Sequence, residues 1–234
     1  MLYLGLILLS GILFVIKIIT DYKIYKNTTY FKITQNSFLD VHLNAGLNGE
    51  YALYLKLKEF ESQGSKFLFN VYVPRENGKT TEIDIIMFHP NGLFVFESKN
   101  YSGWIFGHEY QKMWTQTLPI RNRQSHKVRF YNPIMQNSTH INSIRRLIDD
   151  SVPIYSVIAF SDKCTLKNIT VKSNNILVTY YRFIVPNLKA MLLNLSTSEI
   201  SKDLIFDAYM KLFPYSQTID ELKFEHIRNI SKWN

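Results

Sequence analysis

Two short runs carry the side chains with chemical potential: Glu82-Ile83-Asp84-Ile85-Ile86 and Phe96-Glu97-Ser98-Lys99-Asn100. Residues two apart along a strand share a face, so Glu82 points with Asp84 and Glu97 with Lys99. A carboxylate and an ammonium set among Phe94, Val95 and Phe96 are costly unless they are paired or used. Pro90-Asn91-Gly92 between the runs marks a tight turn, which makes them a hairpin. If Asn91-Gly92 is a two-residue loop, Asp84 lies opposite Lys99. If the loop has four residues, Asp84 faces Glu97. In both cases Asp84, Glu97 and Lys99 share one face, whereas an odd-length loop puts Glu97 on the other. The constellation therefore predicts an even loop or a compensating bulge. Two carboxylates converging with a lysine suit phosphodiester hydrolysis. Their hard oxygens are ligands for Mg²⁺ (or Mn²⁺), which polarises a phosphoryl oxygen and acidifies a bound water. The lysine ammonium orients that water and offsets charge in the transition state. The plainer reading of the same residues is a buried salt bridge.

The elements around the hairpin follow from periodicity. Leu47, Tyr51, Tyr54 and Leu57 predict a helix from about Leu47 to Ser62, ended by Gln63-Gly64. Glu50 falls inside that apolar stripe, where a carboxylate needs a partner or a metal. Strands are predicted over 66–73, 80–88 and 93–99, with a short hairpin within 104–117. Residues 118–130 read as a polar, basic loop. Asn132 is a suitable N-cap and Pro133 suits the first position of a second helix, with Ile134, Ile141, Ile144 and Ile148 as its stripe. Residues 153–160 read as a buried strand and Ile176–Val178 as an edge strand. Further helices are predicted near 184–195, 198–213 and 219–230, and Tyr180-Tyr181-Arg182-Phe183 carries no assignment.

Taken in order, Gly49-Glu50, Glu82-Ile83-Asp84, Glu97-Ser98-Lys99-Asn100 and Asn132-Pro133-x-x-Gln136 resemble the NERD (nuclease-related) domain, a family similar to the PD-(D/E)xK nucleases. Gly103-Trp104-Ile105-x-Gly107 and Trp114 add to the likeness, which covers about residues 44–160. Where the superfamily has Pro-Asp, this chain has Ile83-Asp84. The resemblance implies an α/β fold with a restriction-endonuclease-like αβββαβ core and a mixed central sheet. It implies a metal-dependent nuclease acting on nucleic acid, DNA foremost. Asp84 and Glu97 are then metal ligands and Lys99 the catalytic lysine. Glu50 is an auxiliary acidic ligand, and Gln136 reaches the same site from the second helix. The alternative is a membrane-tethered nucleic-acid-binding or scaffold protein whose nuclease-like site is inactive.

Other polar residues have blander readings. Arg121, Arg123, His126, Lys127 and Arg129 form a basic loop beside the second helix. Four of them (Arg121, Arg123, Lys127, Arg129) are candidates for nucleic-acid phosphate contacts, against a merely solvated loop. Tyr101, Trp104 and Trp114 read as hairpin core rather than base-stacking platforms, Glu82 as a solvated strand start, and His140 as incidental. Cys164 is the only cysteine, which excludes a disulfide scaffold and a zinc ribbon.

The chain has 234 residues, enough for one domain with a small appendage. Its 46% hydrophobic content excludes a disordered tail, and its net charge of +8 suits an anionic partner. Residues 2–16 carry no charge. Lys17 can snorkel to the headgroups, so the apolar run reaches Ile19, roughly 27 Å at ~1.5 Å per residue against a ~30 Å hydrocarbon core. No Lys or Arg precedes the run, and Ile18-Ile19-Thr20-Asp21 is a poor cleavage site, which favours an anchor in a lipid bilayer over a signal peptide. Lys17, Lys23, Lys26 and Lys32 on the carboxyl side place the bulk of the chain in the cytoplasm. The expected plan is a transmembrane anchor over 1–20, a juxtamembrane linker over 21–45, a nuclease-like domain over 46–165, and a mainly helical C-terminal extension over 166–234.

Overall fold

The structure is a computed structural model that describes residues 2–119, 125–195 and 200–217. The first helix, α1 (Leu2–Lys26), is unbroken. Residues 5–24 are exposed, and an 18-residue stretch within Gly5–Lys26 has a mean hydropathy of 1.9, so α1 is long and apolar enough to cross a membrane. It does not end at Ile19. Its last turn carries Tyr25, which is fully buried and donates its hydroxyl to the Asn36 carbonyl at 2.7 Å.

The stretch expected as a linker carries two short helices, α2 (Thr29–Thr34) and α3 (Phe38–Leu43). Their polar punctuation is capping rather than slack: Thr28 and Ser37 accept from the Phe31 and Asp40 amides. Tyr25, Tyr30 and Val41 from this stretch sit in the main core. Next comes α4 (Ala45–Ser62), whose first amides, Gly46 and Leu47, are capped by the Asn44 side chain.

The fold is mixed α/β with two mixed sheets. The first has the order β1-β2-β3-β7-β9, formed by β1 (Lys66–Pro74), β2 (Thr80–His89), β3 (Gly92–Lys99), β7 (Ile154–Phe160) and β9 (Ile176–Tyr180). Its first three strands are antiparallel and the last three parallel. On one face, Tyr51, Leu53, Tyr54 and Leu57 of α4 pack with α6 (Ile184–Asn194) onto Phe67, Phe69, Phe94 and Phe96. On the other, α5 (Pro133–Arg145) and α7 (Lys202–Ser216) pack onto Leu68, Ile86, Phe88 and Val95. Each fully buried side chain of this kind contributes about 1.5–3 kcal/mol.

The second sheet has the order β6-β5-β4-β8, with β4 (Gly103–His108), β5 (Met113–Pro119), β6 (Ser125–Tyr131) and β8 (Cys164–Thr170). Trp114 stacks on Phe160, with ring centroids 6.1 Å apart, and joins the sheets. Two expectations change here. His126, Lys127 and Arg129 lie on strand β6, which pairs with β5 along its whole length, and not in a loop. β8 lies in a region expected to be mainly helical. Arg121, Arg123 and the helix expected near 219–230 fall outside the described residues.

The hairpin loop is even. His89 pairs with Gly92, so the turn is Pro90-Asn91 rather than Asn91-Gly92. Gly92 has φ +134°, and a Cβ there would sit 2.5 Å from the Pro153 carbonyl. Carried one step beyond Ile85↔Phe96, this register sets Asp84 opposite Glu97.

Candidate active site

The site lies where β2 leaves β3. The β2–β3 ladder stops at Ile85↔Phe96, while β1–β2 pairing runs on to Pro74↔Thr80. At the fork the Asp84 Oδ2 accepts the Ser98 amide at 2.7 Å, replacing the missing strand carbonyl. On its other side Asn70, with φ +49°, interrupts pairing between Phe69↔Ile85 and Val71↔Ile83. Ile83 and Ile85 consequently belong to cores on opposite faces. The shared face expected for Asp84, Glu97 and Lys99 assumed a regular ladder; the chain brings Asp84 to Glu97 and Lys99 through a fork instead.

Glu97 and Lys99 do share a face, the one covered by α5. Lys99 Nζ donates to Glu97 Oε1 at 2.5 Å and to Gln136 Oε1 at 3.1 Å. The other oxygen, Glu97 Oε2, meets His140 Nε2 at 3.1 Å, and His140 Nδ1 meets Thr81 Oγ1 at 2.9 Å. Glu97 is 2% exposed and His140 is buried. His140 is therefore not incidental. It lies one turn beyond Gln136, and that spacing was its only sequence signal.

A second set of groups approaches from the α4 side. Glu50 accepts from Asn70 Nδ2 at 2.9 Å, with the Tyr30 hydroxyl at 3.5 Å. Glu82 accepts from the Tyr72 hydroxyl at 2.6 Å, so it is not the solvated strand start expected. Gly49 lets α4 come this close: a Cβ there would lie 2.9 Å from Asn100 Cβ and 3.0 Å from the Tyr181 hydroxyl. That tyrosine in turn meets Ser98 Oγ at 2.7 Å. Thr81, Asn70, Tyr72, Tyr30 and Tyr181 had no role in the sequence reading. Asn70 alone left a trace, as a polar residue inside Phe67-Leu68-Phe69-Asn70-Val71.

The charges are unbalanced. Burial, then Glu97 and Glu50, push the Asp84 carboxyl well above the usual range. Burial and then Glu82 push Glu50 up to about 8, against the Asn70 hydrogen bond. Burial also disfavours charge on Glu97, but Lys99 and His140 outweigh it and hold that carboxyl below its usual value. For Lys99, burial is outweighed by Glu97, Tyr101 and Asp84, so its ammonium is firmer than usual. The carboxylates Glu50, Asp84 and Glu97 thus outnumber the one lysine placed among them. Asn70 Oδ1, in the same cluster, is buried with no hydrogen-bond partner among the described residues. Among the described residues no group of three or more His, Cys, Asp or Glu side chains is placed to hold a metal ion by itself.

The basic candidates lie elsewhere. Lys127 and Arg129 are exposed on β6 of the second sheet. Tyr101 is half-buried and Trp114 fully buried, as expected of hairpin core, but Trp104 is 50% exposed.

The model of the nuclease-related domain (NERD) matches residues 45–161. An uncharacterized protein of Bacillus anthracis is 39% identical over 151 residues, covering 64% of this chain and 69% of that protein. No solved structure matches the chain. The matched span holds Glu50, Asp84, Glu97, Lys99, Gln136 and His140, whereas Tyr30 and Tyr181 lie outside it.

Proposed function

Because the chain belongs to the NERD (nuclease-related domain) family, we propose that it is a metal-dependent nuclease, held at a membrane by α1, that hydrolyses phosphodiester bonds of nucleic acid, DNA foremost. The observation that carries this reading is the fork, which gathers buried Glu50 and Glu97 with half-buried Asp84 and Lys99 in one cluster. The order α4, β1, β2, β3, α5, β7, with β4, β5 and β6 inserted before α5, is the support for a restriction-endonuclease-like core.

In this reading Asp84 and Glu97 hold Mg²⁺ or Mn²⁺, with Glu50 as an auxiliary ligand. The bound ion supplies phosphoryl polarisation and a more acidic water. Lys99 keeps its proton, so it serves as a donor and not as a base. Two of its three N–H groups are fixed by Glu97 and Gln136, which leaves the third for the attacking water or a phosphate oxygen. Lys127 and Arg129 contact backbone phosphates. The exposed apolar run of α1 enters the bilayer, and Lys17, Lys23, Lys26 and Lys32 set the domain on the cytoplasmic side.

One observation favours the alternative of an inactive binding or scaffold protein: both Glu97 oxygens are already engaged, by Lys99 and His140. Cleavage assays on the full chain in detergent micelles separate the two. Plasmid and single-stranded DNA are incubated with Mg²⁺, Mn²⁺ or EDTA, using wild type, Asp84→Ala and Lys99→Ala. Metal-dependent cleavage is expected, falling about 10²–10³-fold in Lys99→Ala, as for loss of a transition-state donor. Binding without cleavage in any condition would leave the alternative standing.

A further inference from the structure

We propose that the outer face of the second sheet is a stacking platform for single-stranded nucleic acid, built around Trp104; this rests on the nuclease reading and names its substrate class. Residues paired across a ladder share a face. One row across the sheet is therefore Lys127, Thr117, Trp104 and Thr165, and the next is Arg129, Thr115, Phe106 and Asn168. The opposite face holds Ile105, Trp114 and Phe130, which pack toward Phe160. The two rows thus lie on the face away from Phe160, with Thr117 itself buried between Lys127 and Trp104 in its row.

Three features of this face point to an anionic, aromatic ligand. Trp104 leaves half of its surface to solvent in the middle of a sheet. Lys167 holds its ammonium 5.3 Å from the Trp104 ring centroid, and Lys127 lies two strands away, about 10 Å at ~4.8 Å per strand. All four strands, β4, β5, β6 and β8, lack any Asp or Glu. The carboxylates at the fork stand in contrast. A basic sheet with an open indole suits a polynucleotide, whose bases stack on the ring while Lys and Arg meet the backbone.

Strandedness follows from the indole. In a duplex the base faces are buried in the stack, and only unpaired bases present a free face to a flat aromatic surface. The platform is also continuous with the site. β4 begins four residues after Lys99, and the Ser161 amide donates to the Lys99 carbonyl at 2.9 Å just before β8 pairs with β4 through Cys164↔Gly103. The two central strands of the platform, β4 and β8, thus both begin beside the backbone of Lys99.

The test uses the full chain in detergent micelles with EDTA, so that binding is read without cleavage. Fluorescence anisotropy follows a labelled oligo-dT of 20 nucleotides and a hairpin duplex of similar length. Trp104→Ala is expected to weaken oligo-dT binding about 5–100-fold, the range for one lost base–aromatic stack, and to leave duplex binding nearly unchanged. Lys127→Ala with Arg129→Ala is expected to weaken both ligands and to lower the salt slope. Trp104→Phe keeps most of the affinity. Oligo-dT should quench wild-type tryptophan emission through Trp104 more than through the buried Trp114, and Trp104→Phe removes that quenching even if the Ala variant misfolds. Equal effects of Trp104→Ala on both ligands, or unchanged emission on saturation with oligo-dT, would overturn the platform. If cleavage persists in those cases, the nuclease reading survives without it. Trp104-dependent binding with no metal-dependent cleavage would instead keep the platform and remove the nuclease.

Discussion

Glu50 shows how far a single carboxylate can depend on its surroundings. Burial and Glu82 raise it to about 8 from a reference of 4.5, so in the metal-free protein the fold binds a proton that the unfolded chain releases. Stability from such a group is complete below the unfolded value and is lost as pH rises through the folded one. In EDTA, the Tm is expected to fall between about pH 5 and pH 8.5, and Glu50→Gln should flatten that decline. Added Mg²⁺ should recover stability most at the alkaline end. His140 gives a second prediction at this scale. His140→Ala strips a partner from buried Glu97 Oε2 and from Thr81 Oγ1, and urea unfolding should report a loss of about 1–3 kcal/mol. Asp84, Glu97 and Lys99 were legible because charge inside apolar strands demands a use. The Thr81–His140–Glu97 chain was not, because its members meet only through the packing of α5 on the sheet.

The elements show why the residues converge. Asn70 interrupts one ladder beside Asp84, and the end of β2–β3 pairing interrupts the other. Asn70 combines two roles, a left-handed backbone and a donor to Glu50, and substitution separates them. Asn70→Gly accepts the backbone and should lose only the hydrogen bond to buried Glu50, about 1–3 kcal/mol, while Asn70→Val, with a branched Cβ at positive φ, should lose about 1–2 kcal/mol more. Thermal melts of the two variants check this. The helices and inner strands were readable from periodicity, since each buries a defined face. β6 was not: nearly all of its residues are exposed, so its alternation of His126, Val128 and Phe130 with Lys127, Arg129 and Tyr131 resembled a basic loop. The capping residues Thr28 and Ser37 likewise read as linker polarity, because the aromatic packing beside them leaves no periodic trace in so short a stretch.

For the molecule as a whole, the family span is not self-sufficient. Tyr25, Tyr30 and Val41 precede residue 45, and Tyr181, Ile184 and Leu188 follow residue 161, yet all lie in the core beneath α4. Removing residues 1–44 takes away three side chains of the hydrophobic core, each worth about 1.5–3 kcal/mol. That form should melt far lower than one lacking only residues 1–20, which keeps Tyr25 and α2. Comparing the two by calorimetry tests whether the N-terminal stretch is part of the domain. The continuity of α1 through the fully buried Tyr25 has a further meaning if the helix stands in a bilayer. It is a post and not a leash. From Asp21 to Lys26 it adds only about 9 Å at ~1.5 Å per residue before the domain begins. So placed, the domain would stay in a thin layer along the membrane surface, and the cleavage proposed for it would follow how much nucleic acid arrives there rather than how much the surrounding solution holds.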